Sequence, residues 1–181
     1  MASPKKPKTE AEKQAYYRDA RTKGYYGEIW TSTGKCVFCD LRDKYVIHEE
    51  NGVVMVVVMF AYIDGQIMVI PRRHVRSVKE LTAEEWETMR KFFYIAKKII
   101  RKAHGIKGMQ IIQKDGIDAQ ATVEHLHFQC MPFDSPDLNQ WNYRELKNTP
   151  IENANIYKDM SKSIKKMSAK FEEKYQDDKD E

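Results

Sequence analysis

Glu124-His125-Leu126-His127-Phe128-Gln129-Cys130-Met131-Pro132 alternates polar and apolar side chains, the pattern of a β-strand with one face in a core. On such a strand His125, His127 and Gln129 point the same way, about 7 Å apart. Leu126, Phe128 and Cys130 point the other way and hold the row rigid from behind. Two imidazoles and an amide in line are unusual. A polar sheet face with solvated histidines would look the same in isolation, so the row gains meaning only from partners supplied elsewhere in the chain.

Working back from that strand, the elements are readable from period and punctuation. Asp115 to Thr122 reads as a loop and Gly108–Lys114 as a strand before it. Thr82-Ala83-Glu84-Glu85 is a capping box that opens a helix, and Gly105 is placed to end it in a left-handed turn. Trp86, Met89, Phe93, Ala96, Ile100 and Ala103 fall three or four apart and predict its apolar face. Further upstream, Gln66–Ile70 reads as a strand closed by Pro71. Val53–Met59 is a continuous apolar run, expected to be buried on both faces. Asn51-Gly52 joins it to a strand over Tyr45–Glu50, since both turn residues tolerate positive φ. Downstream, Pro132 to Asn148 is polar and irregular. Thr149-Pro150-Ile151-Glu152 is a second capping box with proline at the first helical position. Ile156, Met160, Ile164, Met167, Phe171 and Tyr175 then predict one apolar stripe along a long last helix. At the other end, residues 1–8 read as a disordered basic leader and residues 9–22 as a polar helix. Tyr25, Tyr26 and Trp30 are positioned to dock that leader.

The chain has 181 residues, of which 41% are hydrophobic and 32% charged. That suffices for one domain of ordinary size with extensions. The formal net charge of +4 suits an anionic ligand and is too small to argue for nucleic acid by itself. No apolar run reaches transmembrane length, and the N-terminus lacks the apolar stretch of a signal peptide. Three cysteines without a secretion signal argue against a disulfide framework and for a reducing, cytoplasmic setting.

Cys36-Val37-Phe38-Cys39 has three readings: a redox pair, half of a zinc site, or two buried thiols. The redox reading wants the motif at a helix start after a strand, and no such pattern surrounds it. Zinc needs four ligands, and His74, after a strand end, and His125 are the histidines placed to complete Cys36 and Cys39. A closed tetrahedron of that kind would be structural. The long spacings from Cys39 to His74 and His125 leave this choice open. His48 and His104 read as structural. His127 is then the free imidazole of the row. Imidazole can attack phosphorus and form a covalent intermediate, provided that neighbouring groups stabilise the phosphoryl oxygens. Thr122, Lys114 and Gln129 lie where they could do so.

His125-Leu126-His127-Phe128-Gln129-Cys130-Met131 resembles the histidine triad signature, with glutamine in the third position. Cys36-Val37-Phe38-Cys39 resembles the zinc-binding CxxC of that superfamily. Gly65-Gln66-Ile67-Met68-Val69-Ile70-Pro71-Arg72-Arg73-His74 resembles its Gly-His-φ-φ-Val-φ-Pro-Arg-Arg-His segment. The resemblance covers roughly Lys35 to Pro132. It implies an α+β, HIT-like fold: an antiparallel sheet of about five strands with a packed central helix, to which this chain adds N-terminal and C-terminal helical extensions. The domain limits it suggests are 1–30, 31–135 and 136–181. It implies His127 as the nucleophile on a nucleotide substrate, structural zinc on Cys36, Cys39, His74 and His125, and a homodimer.

Glutamine cannot titrate, so Gln129 can hold phosphoryl oxygens but cannot carry a proton. This variant is similar to the branch of galactose-1-phosphate uridylyltransferase and the dinucleoside polyphosphate phosphorylases. The resemblance therefore implies a nucleotidyltransferase or phosphorylase acting on a nucleotide or dinucleoside polyphosphate, with phosphate or a sugar phosphate as acceptor. Met68 and the Arg72-Arg73 pair lean the same way. A hydrolase with water as acceptor and a non-catalytic nucleotide-binding protein are the alternatives. Departures from the family pattern cluster at the phosphate loop, where Lys114, Gln120, Ala121 and Thr122 replace asparagine, glycine, glutamine and serine. Gln120 and Thr122 remain candidates to bind substrate there. Val58 stands where a ribose-binding Asp or Asn is usual, and Gln66 where a histidine usually follows the glycine.

Overall fold

The computed structural model describes residues 33–59, 61–119, 121–134 and 149–165, together with Thr9, Ala11, Glu12, Ala15 and Asp19. Five strands, β1 (Val46–Glu50), β2 (Val53–Val57), β3 (Ile67–Pro71), β4 (Gly108–Gln113) and β5 (Phe128–Phe133), form one sheet. Their order is β1-β2-β3-β5-β4, and every pairing is antiparallel. Helix α1 (Ala83–His104) connects β3 to β4 and packs on one face. The expected α+β architecture, a five-stranded antiparallel sheet with a packed helix, is the one observed.

The turn between β1 and β2 follows from its two residues. Asn51 and Gly52 both take positive φ, 47° and 69°, the hairpin geometry that matches strand twist. Helix α1 starts where its capping box places it: the Thr82 side chain accepts from the Glu85 amide, and Glu85 reaches back to the Thr82 amide. It ends at Gly105, whose φ of 72° is left-handed.

The apolar stripe of α1 differs from expectation. Met89, Phe92, Ala96 and Ile100 are buried, Phe93 is only partly covered, and Trp86 and Ala103 are exposed. Glu85 lies on the same inward face, bound by Arg73 at 2.8–2.9 Å. Trp86 lies at the edge of that face, partly exposed, with its ring centroid 6.1 Å from that of Phe128.

The sheet separates two cores. On the α1 side, Val53, Met55, Ile67 and Val69 meet Phe92, Leu126 and Phe128. On the other side a smaller cluster holds Phe38, Val54, Val56, Met68, Ile70 and Val123. Val53 to Val56 are therefore buried on both faces, as the run of valines implies, while β2 ends at Val57, which is exposed.

The chain divides into two compact units, Met1–Asp134 and Ser135–Glu181. In the second, α2 (Pro150–Asp159) begins at the expected capping box of Thr149 and Glu152 and stops at a turn at Met160. Residues 161–165 are helical again, and Ile156, Met160 and Ile164 are exposed. Met167, Phe171 and Tyr175, the rest of the expected stripe, lie outside the described residues. So do Tyr25, Tyr26, Trp30 and most of the expected N-terminal helix, of which Thr9 and Glu12 show a reciprocal cap. No helix among the described residues is long and apolar enough to cross a membrane.

Candidate functional site

The ladder of β5 begins at Phe128, later than the alternation suggests. His125 and His127 lie just ahead of it, on chain fastened from a different direction. The Leu126 amide donates to the Val75 carbonyl at 2.7 Å, and His125 Nε2 donates to the Pro71 carbonyl at 2.8 Å. The segment after β3 thus takes over the role of a neighbouring strand. The two-sidedness persists: Leu126, Phe128 and Cys130 enter the α1-side core, and His125, His127 and Gln129 lie buried on the opposite side.

Cys36, Cys39, His74 and His125 meet at one point, with their ligand atoms all within 4.8 Å of one another. His125 Nδ1 lies 3.4 Å from the Cys36 sulfur and 3.5 Å from the Cys39 sulfur. His74 Nδ1 lies 3.2 Å from the Cys39 sulfur. A tetrahedral zinc with ordinary Zn–S and Zn–N bonds separates such atoms by about 3.3–3.8 Å. The donor set fits that ion in chemistry, and the two His125–sulfur distances fall in that range. Since a carbonyl can only accept, the Pro71 contact places the His125 proton on Nε2 and turns a lone pair on Nδ1 toward the sulfurs. Outer hydrogen bonds orient metal-binding histidines in this way. Burial first, and then the neighbouring Cys36, push the Cys39 thiol up to about 11, and the two cysteines are free thiols. Cys130, pushed up to about 12 by burial, sits inert behind the sheet.

His127 is fixed by the same logic. Its Nδ1 donates to the His125 carbonyl at 2.9 Å, so Nε2 carries the lone pair. Burial is the main cause that holds its pKa below the usual imidazole range, against the pull of that hydrogen bond and aided by the charge of Lys114. The shift favours the neutral ring, whose Nε2 lone pair can accept a proton or attack an electrophile. Lys114 follows Gln113, which pairs with Phe128, so the register sets it beside His127, with its ammonium over the Tyr62 ring at 5.7 Å.

Gln129 is buried next in the row, its Oε1 accepting from Gln66 Nε2 at 2.9 Å. His127 Nε2 and the Gln129 amide nitrogen take none of the described hydrogen bonds. Among the described residues no buried side-chain nitrogen or oxygen lacks a partner. Both nitrogens are therefore reachable by solvent, although the residues that carry them are buried.

Phe38 was not singled out from sequence. Its ring packs on His127 with centroids 4.8 Å apart and edge-on to His125 at 6.0 Å. The signal available was its position inside the CxxC. It also lines a cavity of about 470 Å³ with Leu41, Val56 and Met68, where Lys35 and Arg42 contribute charge. Thr122 is exposed on the loop entering the row, and no described hydrogen bond joins it to His127 or Gln129. Gln120 lies outside the described residues. Arg72 and Arg73 are committed to carboxylates: Arg72 Nε to Glu49 at 2.9 Å, and Arg73 to Glu85.

Residues 41–135 match the HIT domain. The chain is similar to the bis(5'-nucleosyl)-tetraphosphatase of Schizosaccharomyces pombe, 30% identical over 95 residues, which cover 51% of this chain and 52% of that protein. It thus spans about half the length of that relative. It is 29% identical to the bis(5'-adenosyl)-triphosphatase of Dictyostelium discoideum over 113 residues, 60% of this chain and 73% of that one. In fold it is similar to a HIT family member from Bacillus subtilis, with a TM-score of 0.60 and 21% identity over 71% of this chain and 96% of the other.

Proposed function

The chain belongs to the HIT family, and from that premise we propose that it is a nucleotidyl-transferring enzyme acting on nucleotides of the dinucleoside polyphosphate class, through a covalent intermediate on His127. The observation that carries this reading is the oriented imidazole: its Nδ1 proton is bound to the His125 carbonyl, which leaves the Nε2 lone pair unbonded and accessible, two residues before the Gln129 amide. The two phosphatases to which the chain is similar support the substrate class.

In this reading the nucleoside lies in the apolar cavity beside Phe38. Nε2 attacks the α-phosphorus. The N–P bond forms, the P–O bond to the distal phosphates breaks, and the leaving polyphosphate takes the electron pair. The Gln129 amide, with Thr122 as second donor, binds the phosphoryl oxygens. Lys114 offsets distal charge, with Gln120 on the same loop. An acceptor oxygen then attacks phosphorus and frees the imidazole. Inorganic phosphate arrives with an anionic oxygen and needs no base. Water must lose a proton, and Gln129 cannot take it. The acceptor is accordingly phosphate or a phosphate ester. Cys36, Cys39, His74 and His125 would hold zinc, which would tie the CxxC loop, the segment after β3 and the chain ahead of β5 together and fix the backbone that bears His127.

The names of the two relatives favour a second reading, in which water is the acceptor. Product analysis with diadenosine tetraphosphate separates the two. ADP and ATP formed only with added inorganic phosphate, and lost in His127→Ala, is the expected result. AMP and ATP formed without phosphate would move the acceptor role to water. Turnover retained by His127→Ala would end the covalent scheme.

A further inference from the structure

Two glutamines stand at positions where the family pattern carries histidine, Gln66 and Gln129, and the structure joins them. β3 and β5 pair Met68 with Gln129, so Gln66 is the diagonal neighbour of Gln129 on the face that carries His127. Both are buried, with relative exposures of 3% and 8%. Burying an amide is costly unless its groups are bonded, and these are bonded in a definite direction. The Tyr62 backbone amide donates to Gln66 Oε1 at 2.7 Å. A backbone N–H can only donate, so the oxygen end of Gln66 must face Tyr62. The nitrogen end of Gln66 must then face Gln129, and it meets Oε1 there at 2.9 Å. With its oxygen taken, Gln129 has only its NH₂ group left to offer, on the sheet face that also carries His127.

The backbone of Gln66 cannot swing to relieve this arrangement. Its carbonyl accepts from Val58 and its amide donates to Ile63, both at 3.3 Å. The direction of the relay is set by the 61–66 turn and passed through two side chains to the site.

We propose that Gln66 is a positioning residue, which locks the Gln129 side chain with its NH₂ toward the phosphoryl group and prevents the reversed amide from presenting an oxygen to the phosphate. This rests on the nucleotidyl-transfer reading for its purpose, while the direction of the relay stands on the hydrogen bonds alone. An amide oxygen facing a phosphoryl oxygen would turn a stabilising contact into a repulsive one, so the orientation of one side chain decides the sign of its effect.

Two measurements test it. In the wild-type protein, side-chain amide exchange by NMR should show the Gln66 NH₂ protons protected and those of Gln129 exchanging with solvent. The reverse would overturn the relay, whatever the enzyme acts on. The second is a double-mutant cycle at pH 9, where the carboxyl introduced by Gln66→Glu is ionised and can only accept. In the parent, Gln66→Glu should lower kcat on diadenosine tetraphosphate about 100-fold, the scale for loss of one oriented donor, with KM little changed. In a Gln129→Ala background the same substitution should change kcat by less than about twofold, because no amide is left to reverse. Equal losses in both backgrounds, or no loss in the parent, would overturn the proposal. Absence of wild-type turnover would count against the nucleotidyl-transfer reading instead, and the exchange pattern would still decide the relay.

Discussion

The two faces of the sheet are built by different rules. The α1 face is a continuous apolar cluster in which side chains meet by spacing along strands and helix, with oriented polar partners in the Glu85–Arg73 pair and in Thr88, which accepts from Asn51. The opposite face has a smaller apolar cluster and, beside it, buried polar side chains whose hydrogen bonds run in fixed directions. One face supplies stability that any well-shaped hydrocarbon could supply. The other keeps polar atoms out of water, which is tolerable only because each is bonded or faces the site.

The sharpest way to break that division is to damage each face alone. His127→Ala should lower turnover by at least about 1,000-fold, as loss of a nucleophile does, while thermal unfolding stays near wild type. Phe92→Ala should do the opposite, costing about 3–5 kcal/mol for a fully buried aromatic with kcat per folded molecule retained. Loss of stability in the first variant comparable to that in the second would show that the site face carries the fold.

Removing a bound metal probes the seam between the faces. With zinc at a hundredfold excess over its Kd, chelation should remove about 2.7 kcal/mol of stability. Thermal scans with zinc, with chelator and on Cys36→Ser check it, and three identical midpoints would remove zinc from the account.

The smallest effect concerns Glu85. Burial acts to raise its carboxyl pKa, and the bonds from Arg73 and Thr82 overcome this and leave it below the usual carboxylate range. A carboxyl depressed on folding contributes stability that is complete above its unfolded pKa, near 4.5, and is lost as pH falls through the lower folded value. Denaturant midpoints at pH 6 and pH 3 should therefore lie closer together in Glu85→Gln than in wild type. An unchanged gap would assign acid sensitivity to other carboxylates.

These contrasts track what was legible in the sequence. Local features were readable because their causes are local: the Asn51-Gly52 turn, the two capping boxes and the Gly105 stop all depend on residues within one turn. The alternation of 124–132 gave the two faces correctly, since period two is a property of extended chain. On α1 the apolar spacing admits both Phe92 and Phe93, because such a stripe leaves several registers open. Phe92 is the one fully buried, with Phe93 packed beside it and Glu85 held on the same side by Arg73, twelve residues away. The start of β5 was misjudged because Pro71 and Val75, fifty residues upstream, supply its first hydrogen-bond partners. Gln66 was visible only as a departure from the family pattern, and its bond to Gln129 spans sixty-three residues. Phe38 drew no notice between its two cysteines.

The two-sided row also constrains how this chain can change over generations. His125, His127 and Gln129 reach one face only because a single residue separates each from the next. Inserting or deleting one residue among them would send the later members through to the helix side and bring core hydrocarbon into the site. Alterations of length are closed to this segment, and replacements of one side chain by another at constant spacing are the route left open. Glutamine in place of histidine at position 129 is a difference of that permitted kind, and an amide there needs a neighbour able to tell its two ends apart, as Gln66 does.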